Sequence, residues 1–98
     1  MSLREYVDFQ SLENSAEDLV IDELERQLEG TIDPKVPRNA EAVLDMAAYA
    51  LNIVKPMYRV NLLGRLYTEA LQAEYGGIIR SAVREAIDRI SSNPPGGS

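Results

Sequence analysis

The chain has 98 residues, a net charge of −6, no cysteine and no histidine, and 45% of its residues are hydrophobic. A chain of this length forms one domain with a small core. Without Cys and His it has no disulfides, thiolate nucleophiles, histidine general bases or zinc sites of the usual kind.

The charge is unevenly distributed along the chain. Residues 1–45 hold 12 acidic and 4 basic side chains, whereas residues 46–98 hold 4 acidic and 6 basic ones. This balance argues against binding to DNA or RNA polymers, which favours a strongly basic domain. It allows a local basic site for a small anion, and it fits solvated faces without a partner equally well. No signal peptide or membrane-spanning run is visible, so we expect a cytoplasmic protein that does not enter a membrane.

Residues 1–10 predict a loose arm or a short helical turn. The first helix begins after this segment. Asn14 or Ser15 is a suitable N-cap, and Gly30 is a natural residue after the last turn. An amphipathic stripe joins these ends, formed by Ala16, Leu19, Val20, Leu24 and Leu28. Glu23 interrupts the stripe, and the carboxylates of this helix predict a solvated acidic face.

The second helix follows a loop at residues 31–38 that contains Pro34 and Pro37. Asn39 predicts its N-cap. Pro56 lacks an N–H and disfavours helical geometry at the residue before it, so the helix should end at about Val54. Apolar and small side chains on several sides predict that this is the central buried helix.

A short extended segment, Tyr58–Val60, follows Pro56 and leads into a turn at Asn61–Gly64. A strand this short cannot satisfy its edges alone. We therefore expect it to pair with its own copy across a homodimer.

The last helix is predicted from Leu66 to about Ser91 by the spacing of its apolar residues. Gly76 and Gly77 together disfavour the helix by roughly 2 kcal/mol, which predicts a kink, a break or a close helix crossing. The fold class is mostly α, a small three-helix domain at residues 1–93 with one short extended β segment. Residues 94–98 are predicted to be a disordered tail.

No catalytic arrangement or cofactor fingerprint is present, so we expect no enzyme and no cofactor. A magnesium enzyme that uses Asp18, Asp22 and Glu25 is a distant alternative.

A basic and aromatic cluster surrounds Pro56 instead. Arginine binds phosphate or guanine in a bidentate way, and aromatic rings stack on bases. The candidate ligand-binding residues are Asn52, Lys55, Pro56, Tyr58, Arg59 and Arg65. Alternatively, Tyr58 and Tyr67 belong to the core and the cations only aid solubility.

A set of short motifs resembles the ComFB family of late competence proteins. The motifs are Asn14-x-x-Glu17-x-Leu19-Val20, then Ala50-Leu51-Asn52-x-x-x-Pro56-x-Tyr58, then Gly64. The resemblance runs from about Asn14 to Asn93. It implies a small dimeric α-helical protein without enzymatic activity. It also implies a receptor for cyclic dinucleotides, chiefly cyclic di-GMP, that is linked to competence, type IV pili, motility or cell size.

The chain departs from the family pattern at two places. Many members have a second proline where this chain has Lys55. Some members have cysteines in the loop before the second helix, and the loop at residues 31–38 has none, so we expect no metal site.

Two hypotheses follow from the cluster and the resemblance. The first is a homodimeric receptor for cyclic di-GMP or a related dinucleotide, which signals through a protein partner. Arg59 and Arg65 would then pair with phosphates or guanine edges, Lys55 would supply a point charge, and Tyr58 would stack. Asn52 matches the family pattern but is expected to cap the second helix. The second hypothesis is a homodimeric protein-interaction module of the competence system that binds no nucleotide.

Overall fold

The computed structural model describes residues 2–60 and 64–93, with the backbone alone for residues 64–68. Within these ranges the chain forms three α-helices and a two-stranded antiparallel sheet. The elements are β1 (Leu12–Asn14), α1 (Ser15–Glu29), α2 (Ala40–Ile53), β2 (Tyr58–Val60) and α3 (Gly64–Ser92), and single 3₁₀ turns lie at Leu3–Glu5 and Phe9–Ser11. The mostly α fold predicted from the sequence is confirmed.

Helix α1 begins and ends where the local chemistry predicts. The side chain of Asn14 caps its first turn by accepting a hydrogen bond from the backbone N of Ala16 at 3.1 Å. Gly30 follows the last turn, and the Arg38 guanidinium donates to the carbonyls of Leu28 and Thr31 there. Donors at this end satisfy carbonyls that have no partner within the helix.

Helix α2 is less buried than the sequence predicts. It begins after Asn39 and ends at Ile53, three residues before Pro56, as expected. It buries only one face, through Ala42, Met46 and Ala50, and it leaves Leu44 68% exposed. The prediction that α2 is the central helix is therefore wrong.

Helix α3 packs against both α1 and α2 and forms the centre of the fold. Its buried apolar side chains are Leu71, Ile79, Ala82, Val83, Ala86 and Ile87. The helix runs without interruption through Gly76 and Gly77, so of the predicted kink, break or close helix crossing the break does not occur. Packing on two neighbouring helices outweighs the low helix propensity of two glycines.

Strand β2 pairs with β1 of the same chain, with Leu12 opposite Val60, Glu13 opposite Arg59 and Asn14 opposite Tyr58. Its partner was expected in a second copy, so this part of the fold prediction is corrected. The partner was missed because β1 has only three residues and no β-branched side chain.

The predicted turn at residues 61–63 and the predicted tail at residues 94–98 lie outside the described residues. Among the helices that the structure describes, none combines the length and the apolar character needed to cross a membrane.

Candidate functional site

The junction between α2 and β2 is attached to the N-terminus of α1 by two reciprocal contacts. The backbone N–H of Met57 donates to the side-chain oxygen of Asn14 at 2.8 Å. The backbone N–H of Ser15 donates to the carbonyl of Met57, also at 2.8 Å. These bonds fix the backbone between Pro56 and the strand, so the side chains that this segment carries are held in place.

Three of the predicted site residues are exposed at this junction. Lys55, Pro56 and Tyr58 all lie at the surface, and the Tyr58 side chain is on the outer face of the sheet. The exposure of Tyr58 rules out the alternative that it is a core residue, and the side chain of Tyr67 lies outside the described part of the structure. A cation and an aromatic ring therefore face solvent on either side of a proline.

Arg59 lies on the opposite, inner face of β2, since neighbouring residues of a strand point to opposite faces. Its side chain is only 10% exposed. Its Nε donates to the hydroxyl of Ser15 at 2.6 Å, and its Nη2 lies 3.5 Å from a carboxylate oxygen of Glu13. Protein groups therefore engage the guanidinium, and Arg59 connects the sheet to the first turn of α1.

The remaining two predicted residues differ from this group. Asn52 is exposed, and its amide nitrogen donates to the carbonyl of Ala48 at 2.9 Å in the last part of α2. The capping role predicted for Asn52 stays a prediction. Arg65 lies in the first turn of α3, and its side chain is outside the described part of the structure. The structure thus exposes Lys55, Pro56 and Tyr58 on the segment after α2 and places Arg59 on the inner face of β2.

The sequence reasoning missed an open cleft of ≈ 520 Å³ at the other end of α1. Three arginines line it, Arg26 from α1 and Arg80 and Arg84 from α3. The spacing of Arg80 and Arg84, one helical turn apart, was a signal in the sequence that could have indicated it.

A tyrosine contact joins α2 to α3 away from both sites. The Tyr49 hydroxyl donates to Glu85 at 2.8 Å, and Arg89 lies over the tyrosine ring at 5.8 Å from its centroid. The hydrogen bond to Glu85 raises the pKa of Tyr49, so this hydroxyl keeps its proton at neutral pH. Within the described residues, no group of three or more acidic side chains is arranged to hold a metal ion.

Comparison with known proteins gives two findings. The profile of the late competence development protein ComFB matches residues 13–94. The solved structure of the late competence protein ComFB from Bacillus subtilis is 22% identical to this chain, with a TM-score of 0.71, and the match covers 87% of this chain and 96% of that one. At this identity the likeness concerns the fold. No curated protein matches the chain significantly.

Proposed function

Because the chain belongs to the ComFB family of late competence development proteins, we propose that it is a non-enzymatic cytoplasmic receptor for a cyclic dinucleotide. Cyclic di-GMP is the first ligand to test. The bound receptor would act through a protein partner to regulate competence, pili or motility. Its site includes the exposed surface at Lys55, Pro56 and Tyr58, which we call the proline junction.

The proline junction supports this function by its composition and its rigidity. A cyclic dinucleotide has two phosphates and two bases. Lysine provides a point charge for phosphate, and an exposed tyrosine ring provides a face for stacking a base. The hydrogen bonds of Met57 to Asn14 and Ser15 hold the backbone between Lys55 and Tyr58. A site with little backbone freedom loses less entropy when a ligand binds.

The contacts of Arg59 favour a positioning role over the phosphate contact predicted from the sequence. Its bonds to Ser15 and Glu13 hold β2 against α1. A ligand contact would have to compete with these bonds. We therefore assign Arg59 to the support of the junction, and Arg65 stays a prediction as the second arginine of the site.

A homodimeric interaction module without a nucleotide is the second candidate, favoured by the outer face of the sheet. Leu12, Tyr58 and Val60 are exposed there. We propose that a second copy covers this apolar face in either candidate function.

Calorimetric titration with cyclic di-GMP, cyclic di-AMP and GTP, in separate runs at near-physiological salt, tests the receptor function. We expect saturable binding of a cyclic dinucleotide, and any binding of GTP should be the same in the Lys55→Ala and Tyr58→Ala variants. Lys55→Ala and Tyr58→Ala should each weaken binding of the cyclic dinucleotide at least tenfold. Lys35→Ala removes an exposed lysine from the loop at residues 31–38 and should leave it unchanged. No heat and no thermal shift with either cyclic dinucleotide would contradict the receptor and favour the interaction module.

A further inference from the structure

The cleft at the far end of α1 has the dimensions of a small-molecule site. It opens between the C-terminal half of α1, the loop that follows and the middle of α3, and its volume is ≈ 520 Å³. Pockets of about 300–1,000 Å³ hold most small ligands. The lining of this α1–α3 cleft includes the arginines Arg26, Arg80 and Arg84, the aspartates Asp33 and Asp88, and the apolar Val36 and Ile87.

Arg26 is fixed at one wall of the cleft by a buried carboxylate. Its Nε donates to Glu23 at 3.0 Å, and the second oxygen of Glu23 accepts from Gln27 at 2.8 Å. Glu23 is only 7% exposed. The carboxylate of Glu23 therefore balances the charge of Arg26, and its hydrogen bond fixes the position of the guanidinium.

Glu23 acts on Arg80 of the facing wall through its charge alone, and Arg84 is not among the groups that shift the pKa of Glu23. Both arginines are exposed, and neither forms an ion pair with any residue in the described ranges. Like charges four residues apart on a helix repel each other. An anion bound between the two guanidinium groups would remove this repulsion, and arginine binds such groups in a bidentate way.

The position of the Arg80 guanidinium depends on the two glycines of α3, Gly76 and Gly77. A Cβ atom at Gly76 would lie 3.6 Å from Nη1 of Arg80, and one at Gly77 would lie 3.6 Å from Nη2. The guanidinium thus lies along a stretch of helix without side chains. A longer side chain at either position would occupy this space and displace the guanidinium.

From this geometry we propose that the α1–α3 cleft binds a small phosphorylated organic anion of the nucleoside phosphate type. The phosphate lies between Arg80 and Arg84. The organic part contacts Val36 and Ile87, and the carboxylates of Asp33 and Asp88 accept hydrogen bonds from hydroxyl or amino groups. This mixture of cations, carboxylates and apolar side chains fits a nucleoside phosphate better than an acidic peptide. The site is separate from the proline junction, at the opposite end of a helix about 22 Å long.

An NMR titration of the ¹⁵N-labelled full chain with ADP, pyrophosphate and citrate tests this assignment. ADP should give saturable shift changes at the backbone amides of residues 26–33 and 80–88, with weaker binding of pyrophosphate and citrate. The double variant Arg80→Gln/Arg84→Gln should bind ADP at least tenfold more weakly. Gly77→Leu keeps both charges and should also weaken ADP binding, because it displaces Arg80. Arg4→Gln removes an exposed arginine outside the cleft and should bind as the unchanged chain does.

Several results would overturn the proposal. Absence of shift changes at residues 26–33 and 80–88, or equal affinity in the double variant, would remove the site. Equal affinity for citrate would mean that the cleft responds to charge alone, and equal affinity for pyrophosphate would remove the contacts to Val36 and Ile87. None of these results depends on whether Lys55 and Tyr58 bind a cyclic dinucleotide, so the two proposals fail separately.

Discussion

The side-chain oxygen of Asn14 accepts a hydrogen bond of 2.8 Å from the backbone N–H of Met57, 43 positions further along the chain. The same oxygen accepts from Ala16 and so caps α1. One side chain therefore sets both where α1 begins and where the segment after Pro56 lies. Because Met57 is buried, water cannot readily replace Asn14 as the acceptor for its N–H.

Replacing Asn14 by Ala should lower the free energy of unfolding by about 2 kcal/mol, since it removes a helix cap and leaves the N–H of Met57 without its partner. Asn14→Asp keeps an oxygen acceptor and should restore most of the loss. Asn39→Ala is the matched control, because Asn39 precedes α2 without a side-chain capping bond. Urea unfolding measures all three. Equal losses at Asn14 and Asn39 would contradict the double role of Asn14.

Arg59→Ala should lower the free energy of unfolding by about 1–3 kcal/mol, because it leaves the buried hydroxyl of Ser15 without its partner. Lys55→Ala removes an exposed cation four residues earlier and should change stability by less than about 0.5 kcal/mol. Urea unfolding separates the two, and a double-mutant cycle of Arg59→Ala with Ser15→Ala measures their coupling. A fully stable Arg59→Ala protein that loses only dinucleotide binding would reverse our assignment and make Arg59 a ligand contact.

Local signals account for what could be predicted from the sequence. A capping side chain, a glycine and a proline mark the ends of α1 and α2, and these act within one or two turns of the chain. Strand β1 could not be predicted, since its three residues form a strand only because β2 lies beside them. The continuity of α3 depends in the same way on packing against α1 and α2.

The candidate sites show the same limit. Lys55, Pro56 and Tyr58 are near neighbours in sequence and therefore near in space. The inward position of Arg59 depends on the pairing with Glu13, which is distant in sequence. Glu23 interrupted an apolar stripe and was predicted to face solvent, yet it is buried. Arg26 and Gln27 satisfy its oxygens from the next turn of the same helix.

Gly77→Ala should raise the free energy of unfolding by about 0.5–1 kcal/mol, because the position is exposed within a continuous helix and alanine has the higher helix propensity. The added Cβ would lie 3.6 Å from Arg80, an ordinary contact distance. Thermal or urea unfolding measures the change. A lower free energy of unfolding for Gly77→Ala would mean that the fold requires glycine at this position for a contact that is not among those described.

Val60→Glu should shift the chain from dimer to monomer if a second copy covers the outer face of the sheet, because it places a charge in an apolar interface. Ile32→Glu is the control, since Ile32 is 97% exposed in the loop after α1 and should have no effect. Light scattering coupled to size exclusion gives the mass of each variant. A monomeric starting protein, or a Val60→Glu dimer, would contradict this interface.

Glu23 should give the chain a pH-dependent part of its stability. The hydrogen bond from Arg26, followed by that from Gln27 and the charges of Arg26 and Arg80, lowers the pKa of Glu23 below its ordinary value of 4.5, against the effect of burial. The folded chain therefore holds this carboxylate ionised to lower pH than the unfolded chain does. The resulting stabilisation is complete above the unfolded pKa and is lost as the pH falls through the folded pKa.

Urea unfolding of the unchanged chain and of Glu23→Gln, between pH 7 and pH 3, measures this contribution. The unchanged chain should be more stable at pH 7 by about 1 kcal/mol, the usual net value of a lost hydrogen bond. The gap should narrow as the pH falls below 4.5. Glu25→Gln, at an exposed position of the same helix, controls for the change in net charge. A gap that stays constant down to pH 3 would mean that the ionised form of Glu23 does not stabilise the fold.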